Sequence, residues 1–220
     1  MKEREINLFK KFLSYFRFYL LKNQREKNLA NIYYKIIKNN KKKISICDYG
    51  SGFNPDVIRF LAKKINFKNI DCYDFYTNKE LNLLNNNTYN IKFKKIESFK
   101  NSKKKYDITI LSDVLHHIGV KNKIIKRILL SLKKKSKILI IKDHFEHSIF
   151  SRLLLQIMDF IGNYKDNLNI PNQYFTKESF EETLINSGLK KYKIISNLKL
   201  YYKKFLFFSK TNLHFLCIIK

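Results

Sequence analysis

Residues 44–54 read Ile44-Ser45-Ile46-Cys47-Asp48-Tyr49-Gly50-Ser51-Gly52-Phe53-Asn54. A lysine run, Lys41 to Lys43, precedes them, and Ile44 and Ile46 then alternate as in a short buried strand. The strand ends on an acid, Asp48, and runs directly into Gly50 and Gly52. From Pro55 to Lys64 the apolar residues Val57, Ile58 and Leu61, continued by Ile65, fall at helical spacing. Strand, glycine turn, helix is how an open α/β sheet builds a nucleotide-type site at the carboxyl end of its first strand.

The chemistry of the turn narrows its ligand. A nicotinamide or flavin dinucleotide needs glycines at three places, G-x-G-x-x-G, so that the helix N-terminus can meet the pyrophosphate. Gly50 and Gly52 fill the first two, but the third falls on Pro55. An acid two residues ahead of the first glycine also crowds a negative pyrophosphate. A Walker loop fails as well, because no Gly-Lys-Ser/Thr follows. The turn suits a ligand with a positive or zwitterionic group beside a nucleoside and no phosphate to hold.

Downstream the pattern alternates. Asn69 to Tyr73 reads as a short strand ending at Asp74, Asn78 to Leu84 as a helical turn, and Asn85-Asn86-Asn87 as a loop. Tyr89 to Ile96 alternates Ile91 and Phe93 with lysines and ends near Glu97 and Ser98; Lys100 to Lys105 is a solvated charge run. Tyr106 to Leu111 is a fourth strand, entering Ser112-Asp113-Val114-Leu115-His116-His117-Ile118. Lys123 to Leu132 places Ile124, Ile125, Ile128, Leu129 and Leu132 on one side of a helix. Lys137 to Ile141 is a fifth strand, followed by Lys142-Asp143-His144. Such alternation predicts an α/β fold, Rossmann-like and doubly wound on a mostly parallel sheet.

Beyond residue 145 the pattern changes. Phe150 to Ile161 is an apolar helix closing at Gly162-Asn163, and a polar loop runs to Pro171. Thr176 reads as the N-cap of a helix, with Ser179 where a capping box favours Glu, and Gly188 ends it. Tyr192 to Phe208 and Leu213 to Ile219 are read as a C-terminal antiparallel hairpin completing a seven-stranded sheet. No repeat or Gly/Ser linker divides the chain, so residues 1–40 are taken as an N-terminal helical cap on one structural domain spanning 41–220.

With 220 residues, 45% of them hydrophobic and 15% aromatic, the chain can fill one core and is not globally disordered. The net charge of +27 points toward nucleic acid or an anionic membrane. Yet the only arginines are Arg4, Arg17, Arg25, Arg59, Arg127 and Arg152. Arginine is the residue suited to bidentate phosphate recognition. Heavy use of Lys, Asn and Ile together matches an AT-rich coding bias better than a dedicated binding face. Cys47, Cys72 and Cys217 each lie in an apolar stretch and none has CxxC spacing. They read as reduced core thiols, and no metal is expected. Charges interrupt every early apolar run, and no stretch reaches the ~20 uncharged residues of a membrane span, so the compartment is read as cytoplasmic.

Leu8, Phe9, Phe12, Leu13, Phe16, Tyr19 and Leu20 form an apolar stripe flanked by Lys10, Lys11, Arg17 and Lys22. Such a basic amphipathic helix serves equally as core, as a lid over a site, or as a peripheral membrane contact.

Asp48-Tyr49-Gly50-Ser51-Gly52 resembles the first motif of class I S-adenosylmethionine-dependent methyltransferases, Asp-x-Gly-x-Gly. Asp74 resembles the family's acid that pairs with the ribose hydroxyls. Glu97 with Ser98 falls near its adenine-side acid, although Ile96 replaces the usual glycine. Tyr106-Asp107 through Ser112-Asp113-Val114-Leu115-His116-His117 is similar to the strand-four motif of many small-molecule members. Tyr174-Phe175-Thr176, the following helix and Gly188-Leu189 resemble the stretch before the family's last hairpin. Asn54 stands where many members carry a third glycine. The resemblance covers residues 44–219 and implies S-adenosylmethionine as cofactor, held by Asp48, Gly50, Ser51, Gly52, Asp74, Glu97, Ser98 and Asp113. Glycines at 50 and 52 let the backbone approach the methionine moiety, and Asp74 can accept two ribose hydrogen bonds.

Methyl transfer needs positioning, and a base where the nucleophile carries a proton. His116, His117, Asp143 and His144 fall at the carboxyl ends of strands four and five. His144 is the candidate base, because imidazole titrates near neutrality, with Asp143 as its orienter or a substrate contact. The plainer reading of His116 and His117 is that they cap the strand-four loop. His117, Asp159 and Asn163 are candidate substrate contacts, although Asp159 on an apolar helix equally well faces water. His147 and His214 are assigned no role. The expected function is methylation of a small molecule at oxygen or nitrogen. RNA or protein methylation is the alternative favoured by charge alone, and a non-catalytic cofactor-binding or membrane-associated protein is the third.

Overall fold

A computed structural model of the chain describes residues 24–38, 43–53, 55–85, 91–120, 123–163, 169–200 and 211–220. The N-terminal stripe from Leu8 to Leu20, Asn54, and the 201–208 part of the expected hairpin lie outside the described residues.

The apolar, β-branched runs form the strands β1 (Ser45–Tyr49), β2 (Asn69–Asp74), β3 (Ile91–Lys95), β4 (Tyr106–Ser112), β5 (Ser136–His144), β6 (Tyr192–Ser196) and β7 (His214–Ile219). They build one sheet in the order β3-β2-β1-β4-β5-β7-β6. Neighbours from β3 to β5 are parallel, while β7 runs antiparallel to both β5 and β6. The strand order reverses between β1 and β4, and the crevice above that switch point is where open α/β sheets bind ligands. The expected seven-stranded, mostly parallel fold with a C-terminal antiparallel hairpin is the one observed.

Between the strands lie α1 (Gln24–Ile37), α2 (Asp56–Ala62), α3 (Asn78–Asn85), α4 (Ile96–Asn101), α5 (Leu115–Ile118), α6 (Lys123–Lys134), α7 (Ile149–Asn163) and α8 (Lys177–Asn186). Period-two alternation sends side chains to opposite faces. Ile46, Ile70, Ile108, Ile110 and Ile140 pack with Leu29 and Tyr33 of α1, Ile58 and Leu61 of α2 and Leu84 of α3. Cys47, Leu111, Leu139 and Ile141 pack on the other face with Phe99, Leu129 and Leu132, and with Phe180 and Leu184 of α8. Each fully buried Ile or Leu contributes about 1.5–3 kcal/mol, so both layers are needed. Cys47, Cys72 and Cys217 are free and buried, as expected of core thiols.

Three local readings differ from the structure. Ile96 to Asn101 is a helix rather than a strand end and charge run, with Phe99 turned into the core. β5 continues through Lys142, Asp143 and His144, because β7 pairs with it as far as His144 opposite His214. β6 stops at Ser196, where Asn197 takes a left-handed φ of 62° that ends the strand. The capping box at Thr176 forms with serine in place of Glu, its two hydrogen bonds spanning 2.9 and 3.2 Å. Among the described residues no helix is long and apolar enough to cross a membrane.

Candidate active site

The turn after β1 is pinned to β2: Gly50 and Ser51 both donate their N–H to the Tyr73 carbonyl, at 2.8 and 3.3 Å. Gly50 sits at φ +75°, and a Cβ there would run into the Val114 side chain. Gly52, at φ +68°, has nothing within 4 Å of where a Cβ would lie, so this part of the turn faces open space. The Asp74 carboxylate accepts from the Gly52 N–H at 2.6 Å and the Phe75 N–H at 2.7 Å, which leaves acceptor capacity for a ligand hydroxyl. The Tyr76 hydroxyl donates to the Gly52 carbonyl at 2.7 Å and so receives the Ser51 hydroxyl at 2.6 Å. Burial, then the Asp74 carboxylate, pushes Asp48 up to about 7. A cation placed in this cradle would favour its ionised form. Glu97 and Ser98 are exposed on α4, and Ser98 donates to the Lys95 carbonyl at 2.6 Å.

A second group closes the carboxyl ends of β4 and β5. Asp113 adopts φ 55° and its carboxylate binds Arg25 of α1 and Lys142 of β5. Burial opposes its ionisation, but Lys142 and Arg25 hold its pKa well below the carboxylate range. Tyr33 of α1 shares a 2.6 Å hydrogen bond with Ser112. The N-terminal helix is therefore fastened to the site by an ion pair and a hydroxyl contact.

The histidines form the third group. His116 Nδ1 lies 2.5 Å from Asp143 Oδ1, and its Nε2 lies 3.4 Å from Asp159 Oδ2. Burial alone would lower the pKa of His116, yet the Asp143 carboxylate and then Asp159 push it up to about 10. Asp159 is buried on α7 and receives the Tyr174 hydroxyl at 2.5 Å. It does not face water, because His116 and Tyr174 supply partners that helical periodicity cannot reveal. Asp143 also accepts from the Leu115 N–H at 3.1 Å and the His144 N–H at 2.8 Å, so it orients its neighbours. His116 is more than a loop cap. It ties α5 to β5 and α7.

His144 is 4% exposed, with its Nε2 3.3 Å from Lys142 Nζ. An ammonium has only protons to give, so Nε2 accepts and the ring proton belongs on Nδ1. Nδ1 stands 3.6 Å from Asp113 and 3.5 Å from Asp143 without a hydrogen bond. Burial, then Lys142, lowers the His144 pKa and keeps the ring neutral. His117 is half-buried with Nδ1 3.3 Å from the Asn169 carbonyl, and burial followed by the charge of His116 lowers its pKa. Asn163 ends the same helix as Asp159. His214 is buried against His144, ring centres 4.8 Å apart, while His147 caps the Asn212 carbonyl at 3.0 Å.

A family model described as a methyltransferase domain matches residues 20–194. The chain belongs to the methyltransferase family. No curated protein sequence matches it. Among solved structures, the plantazolicin methyltransferase BpumL in complex with SAH is 17% identical with a TM-score of 0.59, covering 90% of this chain and 82% of that one. The plantazolicin methyltransferase BamL, in complex with a triazolic desmethylPZN analog and SAH, is 14% identical with a TM-score of 0.60, covering 96% and 90%. A cyclopropane-fatty-acyl-phospholipid synthase-like protein from Lactobacillus casei is 12% identical with a TM-score of 0.58, covering 90% and 91%. At these identities the likeness is one of fold. The cradle of this methyltransferase fits S-adenosylmethionine, the cofactor of its class. Two carboxylates end adjacent strands, the turn opens at Gly52, and Asp48 is poised to ionise beside a cation.

Sequence reasoning missed Arg25, Tyr33, Tyr76 and a role for Lys142. Only Lys142 left a signal, as a lysine directly following the apolar run Ile138–Ile141 and beside Asp143, where a buried cation requires a partner.

Proposed function

We propose that this methyltransferase transfers a methyl group from S-adenosylmethionine to oxygen or nitrogen of a small, electrically neutral acceptor. The observation that carries this reading is the closed charge balance beyond the cofactor cradle. Arg25 and Lys142 are paired with Asp113, and His116 lies between Asp143 and Asp159. Among the described residues the cations of this cluster are matched by its carboxylates, so the site itself calls for neither a phosphate nor a carboxylate.

S-adenosylmethionine supplies an electrophilic methyl group on a sulfonium. Asp74 accepts the ribose hydroxyls, the Gly50–Gly52 turn admits the methionine moiety, and Asp48 balances the cofactor's positive charge. Ser51 and Tyr76 hold the turn in shape, and Glu97 with Ser98 borders the adenine side. Asp113, held by Arg25 and Lys142, fixes the end of β4 against Gly50 through Val114. Asp143 accepts from the His144 backbone N–H and from the His116 ring, and the His144 Nδ1–H faces Asp113 and Asp143, so the carboxyl ends of β4 and β5 are held in one arrangement. Positioning of this kind can supply much of the rate enhancement. Asp159, His117 and Asn163 lie on the acceptor side.

The test is transfer from methyl-labelled S-adenosylmethionine into a metabolite extract and, separately, into total RNA. Label in small molecules is expected; label confined to RNA would favour the reading that the surface charge suggests and end this one. Retention on anionic liposomes, lost on deleting residues 1–23, would place the acceptor in a lipid phase.

A further inference from the structure

The connections that enter the sheet and those that leave it differ in charge. Residues 63–68 lead into β2, 102–105 into β4, Lys135 into β5 and 187–191 into β6. Each of these connections carries lysine, as does the chain ahead of β1 at Lys43, and none carries an aspartate or a glutamate. The connections that leave the carboxyl ends of β1, β2, β4 and β5 are residues 50–55, 75–77, 113–114 and 145–148, and they hold neither lysine nor arginine. A coding bias toward lysine would load both ends of the sheet alike. Helix C-termini favour cations within the last turn, which accounts for Lys133 and Lys134 of α6. It does not account for Lys103 to Lys105 or for Lys190 and Lys191, which lie beyond the ends of α4 and α8.

Backbone pairing sets these connections side by side. The Lys68 N–H bonds the Ile44 carbonyl at 2.8 Å, the Tyr106 N–H bonds the Lys135 carbonyl at 2.8 Å, and the Lys220 N–H bonds the Lys191 carbonyl at 3.3 Å. From β2 to β6 the order β2-β1-β4-β5-β7-β6 makes five steps, so the row is about 24 Å long at about 4.8 Å per step. Lys104 meets Asp71 at 2.5 Å and Lys137 meets Asp107 at 2.7 Å. Lys103, Lys105, Lys190 and Lys191 are exposed and form no salt bridge with a described residue. We propose that this row of lysines, along the amino ends of the strands, is a docking surface for the phosphate backbone of nucleic acid, remote from the methyl-transfer site and independent of the acceptor proposed above.

The shape of the row selects a linear polyanion over a flat one. Each strand is rotated by about 20–25° against its neighbour, so a line drawn along the strand ends winds and does not lie in a plane. A bilayer is flat on this scale, and a membrane-bound face also sinks apolar side chains below the headgroups. Among the described residues, none of the large apolar side chains exposed at the surface belongs to these connections. About 24 Å of duplex presents about seven phosphates on each strand, enough to meet the row along its whole length. These cations are lysines, which act as point charges and do not form the planar fork of arginine, so the docking is independent of base sequence. The seven residues of β4 put this face roughly 20 Å from the Asp113 end. A docked nucleic acid therefore holds the enzyme in place and leaves the acceptor side open.

Fluorescence anisotropy of the full chain with an RNA duplex of about 20 base pairs and mixed sequence tests the proposal. Affinity should fall linearly in log salt between about 50 and about 200 mM. Replacing Lys103, Lys105, Lys190 and Lys191 together by Gln should weaken binding at least about 30-fold at the lower salt and make the slope shallower by about 3–4. The control removes the same charge from helix starts at the other end of the sheet, as Lys79→Gln, Lys123→Gln, Lys126→Gln and Lys177→Gln, and should stay within about threefold of wild type. Both variants should bind S-adenosylhomocysteine as wild type does, which shows them folded. If the fourfold variant does not fold, Lys103→Glu against Lys79→Glu gives the same comparison, with the loss expected in Lys103→Glu alone. Equal losses at the two ends would show that net charge draws the duplex, and would overturn the proposal. A wild type that binds vesicles containing phosphatidylserine but not the duplex would overturn it as well. Either failure leaves the proposed methyl transfer standing.

Discussion

Alanine at position 50 would have to hold φ +75° and fit its Cβ into the space of the Val114 side chain. Gly50→Ala should therefore lower stability by roughly 1–3 kcal/mol and abolish measurable S-adenosylhomocysteine binding, read by thermal melting and calorimetry. Gly52→Ala shares the backbone strain but meets open space, so its melting point should fall less while ligand affinity still drops. Asp48 gives a pH signature. Its pKa in the folded protein is raised to about 7, so it is mostly protonated below that pH, and a cationic cofactor favours the ionised form. Affinity for S-adenosylmethionine should rise as pH passes from about 6 to about 8, and Asp48→Asn should flatten the rise. An identical slope in the variant would remove Asp48 from the cradle. Asp48, Gly50 and Gly52 were legible because their spacing is local, and Asp74 because it ends the next strand of the alternating pattern. Arg25 was not, because nothing within its own helix indicates a carboxylate 88 positions away.

At the scale of elements, α8 is a helix whose start is built from two side chains. Thr176→Ala removes half of its capping box and should cost about 1 kcal/mol in denaturant unfolding, without changing cofactor affinity. α1 is different, because its stabilising contacts and its site contacts coincide. Arg25→Ala would remove the Arg25 cation from Asp113 while Lys142 stays, and loosen the end of β4. The expected result is lower stability together with weaker cofactor binding, whereas Thr176→Ala affects stability alone. The periodicity of residues 150–161 predicts an apolar helix with one anomalous acid, and α7 is that helix. Whether that acid met water or protein depended on His116 and Tyr174, which arrive from separate elements.

For the whole molecule, the surplus of positive charge and the buried His116 set the response to solution conditions. A net charge of +27 repels itself, and salt screens that repulsion. The melting temperature should rise as salt increases from about 20 to about 200 mM. His116 adds a dependence on pH. Its folded pKa of about 10 lies above the unfolded value near 6.5, so its contribution is fully present below pH 6.5 and is lost as pH rises toward 10. Wild type should therefore lose stability more steeply than His116→Gln between about pH 7 and pH 10. Equal slopes would show that His116 is not held as a cation.

Local sequence carried the sheet, its mostly parallel course, the C-terminal hairpin and the glycine turn at Asp48 to Gly52. These rest on periodicity and on glycines within a few residues of one another, both properties of the chain taken locally. Tertiary structure alone decided the protonation states and pairings beyond the cradle. Lys142 reaches His144 because both point the same way from β5, and Asp159 reaches His116 because α7 folds over the sheet end. Charge state depends on burial and on partners a few ångströms away, and only the folded chain brings those partners together.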